Sequence, residues 1–188
     1  MKSVLLMIAL LAPLSALADT PNFNYDYLDV GHLGVSPQSG QSGKGAYADL
    51  SYSIFDELQL RASYQHLDYS TTPFGTTGKD YTLGITSESR VSDGTDVYTD
   101  VLYVNQRTAS TGIVTTENGY RLAVGMRHQL VQQLELDGYL AHNYLNAPTN
   151  EIGASLLFNA TSWLSLGAGY AHDSLYNNTT TLKLRLYF

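Results

Sequence analysis

The sequence predicts an all-β protein that folds as a closed, antiparallel, up-and-down transmembrane β-barrel of about ten strands, with eight strands as the alternative. Three observations predict this class. Charged residues make up only 14% of the 188 residues, apolar and polar residues alternate in segments of about ten residues, and short connections alternate with longer ones. A soluble domain typically carries about 25% charged residues. The sequence therefore has too little charge to cover a water-exposed surface.

The first element is a predicted signal peptide, residues 1–18. It has a charged start at Lys2, an apolar run over 4–11, and small residues at Ala16 and Ala18, as in a cleavable secretory signal. A transmembrane anchor is the alternative, but the run is short and Pro13 interrupts it. We expect the mature chain to begin at Asp19 and residues 19–188 to form one barrel domain. The sequence has no cysteine, so packing and a closed hydrogen-bond network must hold this domain.

The strands follow as alternating segments with no helical periodicity between them. An even number of strands returns the C-terminus to the end at which the barrel began. The predicted strands are Asn24–Leu33, Ala46–Ile54, Leu58–Asp68, Asp80–Glu88, Thr95–Gln106, Asn118–Leu130, Leu134–Leu145, Glu151–Phe158, Trp163–His172 and Thr179–Phe188.

The connections fall into two classes. "FDE", "RVSDG", "VQQ" and "NATS" are predicted as tight turns, whereas "GVSPQSGQSGK", "STTPFGTTGK", "RTASTGIVTTE", "NAPTN" and "DSLYNN" are mostly longer and rich in Ser, Thr, Gly, Pro and Asn. Turns and loops alternate, so the turns lie at one end of the barrel and the loops at the other. Outer-membrane barrels have this asymmetry, with short periplasmic turns and long external loops.

Period two separates an apolar face from a face of small and charged residues. A soluble, lipocalin-like barrel would turn the apolar face inward. Three features favour a lipid-facing apolar exterior: the low charge, the tyrosines near strand ends, and the mixture of Gly and Ser with Arg, Glu and Asp on the polar face. Small residues leave room for long charged ones in a narrow barrel.

The chain ends on "LKLRLYF", an alternating segment with a terminal aromatic residue. With the signal peptide, the alternating strands and the loop asymmetry, this segment resembles the small bacterial outer-membrane β-barrels of the OmpA and OmpX type. The resemblance implies that the barrel-assembly machinery reads the end of the chain as an assembly signal, carried by Leu182, Leu184, Leu186 and Phe188. About ten strands departs from the eight of those archetypes.

Charged residues of the polar face are predicted to form a lumen charge network. Opposite charges on neighbouring strands predict the pairs Arg127 with Glu135 and Arg61 with Glu88, and Lys183 should face Asp29 across the closure. Buried charges are tolerated when they are paired, so we favour a lumen plugged by salt bridges over a narrow passive channel. The predicted network comprises Arg61, Glu88, Arg121, Arg127, Glu135, Asp137, Lys183 and Arg185.

Four histidines, His32, His66, His142 and His172, lie near the loop ends of the apolar face. Positions on the outside of a cylinder diverge, so no metal site and no cofactor is predicted. His172 and Ser174 have the H-x-S spacing of outer-surface lipid A deacylases, which makes a lipid-modifying enzyme a second alternative. A carboxylate to orient the histidine is missing from the matching place on the facing strand.

The sequence thus predicts a non-enzymatic barrel of the bacterial outer membrane, with a structural or surface-interaction role. The expected partners are outer-membrane lipid, including lipopolysaccharide, and the barrel-assembly machinery. The net charge of −7 and the scattered basic residues argue against nucleic acid as a partner. The sequence leaves the partner at the cell surface open.

Overall fold

A computed structural model describes residues 22–37, 42–69, 75–175 and 177–188. The predicted signal peptide lies outside these residues. The described residues form a closed barrel of antiparallel strands, in which each strand pairs with its neighbours in the chain and β1 pairs with β10. The strands are β1 Tyr27–Pro37, β2 Gly43–Phe55, β3 Leu58–Tyr69, β4 Thr76–Ser92, β5 Thr95–Ser110, β6 Ile113–Val131, β7 Leu134–Tyr144, β8 Thr149–Asn159, β9 Leu164–Asp173 and β10 Asn177–Tyr187. The predicted fold class is confirmed.

The barrel closes along an unbroken ladder between β1 and β10. Its register runs from Tyr27 opposite Tyr187 to Pro37 opposite Asn177. Both termini of the described chain therefore lie at the end that carries the short turns, which we call the turn end; the opposite end is the loop end. The terminal strand β10 is paired on both sides, with β1 and with β9, so it presents no free edge.

The predicted faces are also confirmed, and the burial pattern is inverted relative to a soluble protein. Charged side chains are buried, with Asp29 2%, Glu88 1% and Asp96 0% exposed, whereas Leu83 is 54% and Val124 51% exposed. Leucine and valine on the outside of a closed barrel fit contact with hydrocarbon. A lipocalin-like soluble barrel would show the opposite distribution.

Aromatic side chains mark both borders of this apolar exterior. Each of them is well exposed on the outside of the barrel, as in the girdles at the two membrane interfaces. Those toward the loop end are Tyr64, Tyr81, Tyr103, Tyr120, Tyr144 and Tyr170, and those toward the turn end are Tyr52, Phe55, Phe158, Trp163 and Phe188. No helix in the described part of the chain is long and apolar enough to cross a membrane.

One predicted loop is wrong: most of "RTASTGIVTTE" belongs to strands. β5 and β6 continue to Ser110 and Ile113 and meet in a turn of two residues. Thr111 has φ 50° and Gly112 has φ 81°, the positive values that a tight hairpin of the favoured twist requires. Thr, Ile and Val fit strands well, so the polar composition was misleading. β6 pairs with β7 only as far as Tyr120, so the tip of the β5–β6 hairpin extends beyond its neighbour β7.

Other boundaries also move. The first strand begins three residues later than predicted and runs to Pro37, and β4 is longer at both ends than the predicted Asp80–Glu88. Strand ends depend on how far the neighbouring strand continues, because a ladder needs both partners. That information is not local to the segment.

Candidate functional site in the barrel lumen

An ion pair and the chain that precedes β1 lie in the lumen near the turn end. Arg127 and Glu135 form two hydrogen bonds, Nε to Oε1 at 2.6 Å and Nη2 to Oε2 at 3.1 Å. Their side chains are only 3% and 1% exposed. The guanidinium carbon of Arg127 lies 4.6 and 4.5 Å from the ring centroids of Phe23 and Tyr25. The predicted pair is therefore present, and two aromatic rings from the entering chain cover it.

The same entering chain is tied to the barrel wall. The backbone N–H and the side-chain amide of Asn22 donate to the carboxylate of Asp96, at 2.8 and 2.6 Å. The carbonyl of Asn24 accepts from Arg127 Nη1 at 3.2 Å. Burial raises the pKa of the Tyr25 hydroxyl above its usual range. Residues 22–26 thus lie across the turn end of the lumen and are fixed there by charged side chains.

The predicted pair of Arg61 and Glu88 is wrong. Arg61 binds Asp49, Nη2 to Oδ2 at 2.6 Å, and Asp100, Nη1 to Oδ2 at 2.8 Å. Glu88 instead accepts from the Gln59 amide. The register explains the difference, because Arg61 stands opposite Gly84, four residues along β4 from Glu88. Neighbouring strands and a shared face are not enough; the two residues must also lie at the same height.

Across the closure, Asp29 holds two cations. Its carboxylate accepts from Arg185 at 2.7 and 2.8 Å and lies 3.3 Å from Lys183 Nζ. The predicted contact of Lys183 with Asp29 is thus present. The guanidinium carbon of Arg185 also lies 3.9 Å from the ring centroid of Tyr27.

The remaining predicted network residues use partners that the sequence analysis missed. Arg121 binds Glu151 through two hydrogen bonds of 3.0 and 3.1 Å. Tyr139 donates to the same Glu151 at 2.5 Å, and Tyr98 donates to Asp137 at 2.9 Å. The sequence analysis assigned tyrosines to the membrane interface and did not place Tyr98 and Tyr139 in the lumen. Parity could have found Tyr98, since it lies two residues from Asp96 and from Asp100, both on the inner face.

Above these ion pairs, a cavity of about 570 Å³ lies in the lumen. Its lining includes the middle ion pairs at Asp29, Arg61 and Arg121 and continues to Gln106 and Glu117 toward the loop end. The cavity therefore extends from the middle ion pairs toward the loop end, and the pair of Arg127 and Glu135 lies outside its lining.

The four histidines lie on the outside, as predicted, but they differ in their contacts. His142 Nδ1 is 2.6 Å from Asn150 Oδ1, and the His142 ring packs edge-on against Tyr144 at 4.2 Å. His66 Nε2 lies 3.3 Å from the carboxylate of Asp68.

Two side chains bear on the deacylase alternative, His172 and Ser174. His172 Nδ1 lies 2.9 Å from Asn178 Oδ1, and the Ser174 hydroxyl accepts from the Asn150 N–H at 3.0 Å. An amide thus takes the position in which a hydrolase triad usually places a carboxylate.

The assembly-signal residues face outward. Leu182 is 66%, Leu184 42% and Phe188 60% exposed, and Leu186 lies on the same face at the turn end. The Phe188 N–H donates to the Asp26 carbonyl at 3.2 Å. Recognition by the assembly machinery stays a prediction.

Comparison with known proteins finds no matching family model and no matching curated sequence. Solved structures do match. The NanC porin aligns over 86% of this chain and 100% of its own, with 9% identity and a TM-score of 0.57. The KdgM porin aligns over 85% and 99%, with 8% identity and a TM-score of 0.52. The translocator domain of the autotransporter NalP from Neisseria meningitidis aligns over 99% and 96%, with 11% identity and a TM-score of 0.52.

At these identities the likeness concerns the fold. In barrels of this kind the short turns face the periplasm, so we expect the turn end on the periplasmic side and the loop end on the cell exterior. The chain is a small outer-membrane β-barrel, a closed barrel of ten antiparallel strands in its described residues, with the fold that these bacterial outer-membrane proteins share.

Proposed function

We propose that this protein is a non-enzymatic, non-conducting barrel that anchors surface loops in the outer membrane, with its lumen plugged near the periplasmic end. The observation that carries this proposal is the turn end of the lumen. The bidentate pair of Arg127 and Glu135, each at most 3% exposed, lies beneath the rings of Phe23 and Tyr25. A fully buried ion pair excludes water on every side.

A second set of contacts supports the plug. Glu88 and Gln59 are 1% and 0% exposed, and Asp96 is 0% exposed beneath Asn22. These residues come from β3, β4 and β5, whereas Arg127 and Glu135 come from β6 and β7. Five consecutive strands therefore contribute buried polar side chains near the turn end, and a barrel with this number of strands has an interior only slightly wider than side chains can fill.

The display role is supported by the loop end. There the β5–β6 hairpin extends past the end of the β6–β7 ladder, and its tip exposes Ile113 by 69% and Val114 by 49%. Apolar side chains held out on a paired hairpin form a contact surface with little conformational entropy to lose. These features of the loop end favour binding of a surface partner over passage of solutes through the lumen.

Planar-bilayer recording of the refolded protein tests the plug. We expect wild-type protein to show no steady ion conductance, because the turn end of the lumen offers no water-filled path. Replacing both partners, Arg127→Ala with Glu135→Ala, removes the side chains that block the lumen near the turn end. This variant should show channel openings in the current record. Leu140→Ala, which shortens a lipid-facing side chain 56% exposed, is the matched control and should stay silent. Steady conductance of the wild-type protein would show that the narrow channel is the better description.

A further inference from the structure

Of the four described lysines and arginines that do not belong to the lumen network, Arg90 pairs with Asp93 at the turn end and the other three lie on one side of the outer wall. Of the ten lysines and arginines of the sequence, Arg61, Arg121, Arg127, Lys183 and Arg185 point into the lumen network described above. Lys44 on β2, Lys79 on β4 and Arg107 on β5 belong to the opposite face of their strands, at the loop end. With His66 on β3, these residues form what we call the outer basic patch.

Strand register brings the members of the patch together. His66 stands opposite Lys79, and Lys79 stands opposite Arg107. Lys44 stands opposite Asp68, one step diagonally from His66. Directly opposed side chains in an antiparallel pair have Cβ atoms about 5 Å apart. Three nitrogen-bearing side chains therefore form one row across three neighbouring strands, with a fourth beside it.

The parity of each strand shows that this patch faces away from the lumen. Gln65, Asp80 and Gln106, the sequence neighbours of His66, Lys79 and Arg107, line the lumen cavity. Successive side chains of a strand point to opposite faces. The patch thus lies on the surface that faces the membrane and its head groups.

The height of the patch is fixed by the aromatic girdle. His66 is two residues beyond Tyr64, and Lys79 is two residues beyond Tyr81, in each case toward the loop end. The rings of Tyr64 and Tyr81 pack together with centroids 5.0 Å apart. Tyrosines of such a girdle sit at the level where hydrocarbon meets head groups. The positions two residues further toward the loop end, which include His66 and Lys79, therefore lie at the level of the lipid phosphates.

The two lysines and the arginine of the patch have no ion-pair partner among the described residues. Among the described residues, no carboxylate lies within 4.0 Å of the Lys44, Lys79 or Arg107 side-chain nitrogens. Asp68 pairs with His66 instead, and its side chain is 64% exposed. Like charges directly opposite on neighbouring strands are destabilising. An anion bound between Lys79 and Arg107 would therefore reduce the repulsion between these two cations. The lumen cations, by contrast, all have carboxylates close by.

We propose that the outer basic patch binds the phosphate groups of a phosphorylated lipid in the outer leaflet, with Lys79 and Arg107 clamping one phosphate and Lys44 and His66 extending the site. In a bacterial outer membrane this lipid is the lipid A part of lipopolysaccharide. The site is outside the lumen, so it does not depend on whether the barrel conducts. The site lies on β2 to β5 and does not include the wall formed by β7 to β10.

The experiment uses folded full-length barrel in mixed micelles and counts bound lipid by native mass spectrometry. The probes are bisphosphorylated lipid A and the same lipid with both phosphates removed. A cation near an anionic lipid surface contributes about 1 kcal/mol, a factor of about five in affinity. We expect Lys79→Gln with Arg107→Gln to weaken binding of bisphosphorylated lipid A about thirtyfold and to leave the dephosphorylated lipid unaffected.

Two control variants separate the patch from charge in general. Lys79→Arg with Arg107→Lys keeps both charges in place and should bind nearly as well as wild type. Arg90→Gln removes a cation from the turn end of the same β4 strand, where it pairs with Asp93, and should also bind as wild type. Folding of every variant is verified by its shift on an unboiled gel.

Several results would overturn the proposal. Equal affinity of wild type and Lys79→Gln with Arg107→Gln would remove the patch as the site. Equal binding of the two lipids would remove phosphate as the group recognised. Displacement of lipid A by millimolar inorganic phosphate would show a site for soluble phosphate rather than for a lipid, whereas retention of lipid A under that competition supports the proposal.

Discussion

Removing one partner of the buried Arg127 and Glu135 pair should destabilise the barrel more than removing both. Glu135→Leu leaves the Arg127 guanidinium 3% exposed with no carboxylate at the 2.6 Å position. Leaving one member of a buried pair uncompensated typically costs about 3–5 kcal/mol. With a urea dependence of about 2 kcal/mol per molar, the unfolding midpoint should fall by about 2 M.

The double variant, Arg127→Met with Glu135→Leu, removes both charges and keeps apolar volume. Replacing a buried pair in this way is often nearly neutral. The contacts of Arg127 with the rings of Phe23 and Tyr25 are lost as well, and such contacts contribute about 0.5–2 kcal/mol. The midpoint should therefore fall by about 1 M or less, so the double variant is more stable than the single one.

The assay is equilibrium unfolding in urea from lipid vesicles. The sequence has one tryptophan, and Trp163 lies on the outside at the turn end, 56% exposed. Its fluorescence reports transfer from the membrane interface to water, and the comparison is valid where unfolding and refolding midpoints agree.

A second cation in the lumen provides a matched control. Arg61 binds both Asp49 and Asp100, so Asp49→Asn leaves it one carboxylate at 2.8 Å. The isosteric change Glu135→Gln removes the only carboxylate bonded to Arg127 among the described residues and should lower the midpoint further than Asp49→Asn does. The reasoning fails if Glu135→Leu and the double variant unfold at the same urea concentration.

Three further predictions concern packing, assembly and activity. A Cβ at position 125 would overlap the Tyr98 ring, whereas at Gly138 the nearest atom is 3.8 Å away; Gly125→Ala should therefore cost about 1–3 kcal/mol in urea unfolding, and an effect no larger than that of Gly138→Ala would contradict the packing argument. Deleting Phe188 should reduce the heat-modifiable, assembled form in outer-membrane fractions while export stays unchanged, and equal assembly of both chains would remove its role as a signal. Lipid A from cells that overexpress the protein should keep all its acyl chains by mass spectrometry, and a lost chain that Ser174→Ala restores would establish the deacylase alternative.

The sequence by itself determined the class of the molecule and the face on which each strand residue lies. Both follow from the period of two, which is a local property: whatever the partner strand, Arg127 and Arg185 point one way and Leu182 and Leu184 the other. The low charge then assigned the apolar face to lipid. The pair of Arg127 and Glu135 was predictable for the same reason, since a short turn joins their strands and leaves little freedom in register.

Only the tertiary structure decided which charged residues form ion pairs when no short turn joins their strands. The sequence analysis paired Arg61 with Glu88, but the register places Gly84 opposite Arg61. The carboxylates that bind Arg61 are Asp49 on the neighbouring strand β2 and Asp100 on β5, which lies two strands away. Contacts across a lumen depend on the tilt and stagger of all the strands together, which no single segment encodes. The same holds for Asn22 on Asp96, a contact between residues 74 positions apart.

The outer basic patch shows this division within one feature. Alternation alone places His66, Lys79 and Arg107 on the outward face, each within its own strand. That the three stand side by side follows from the registers of β3 with β4 and of β4 with β5. Register in a closed barrel is fixed by the ring as a whole, because a slip of one residue in any pair would turn a buried charge toward lipid.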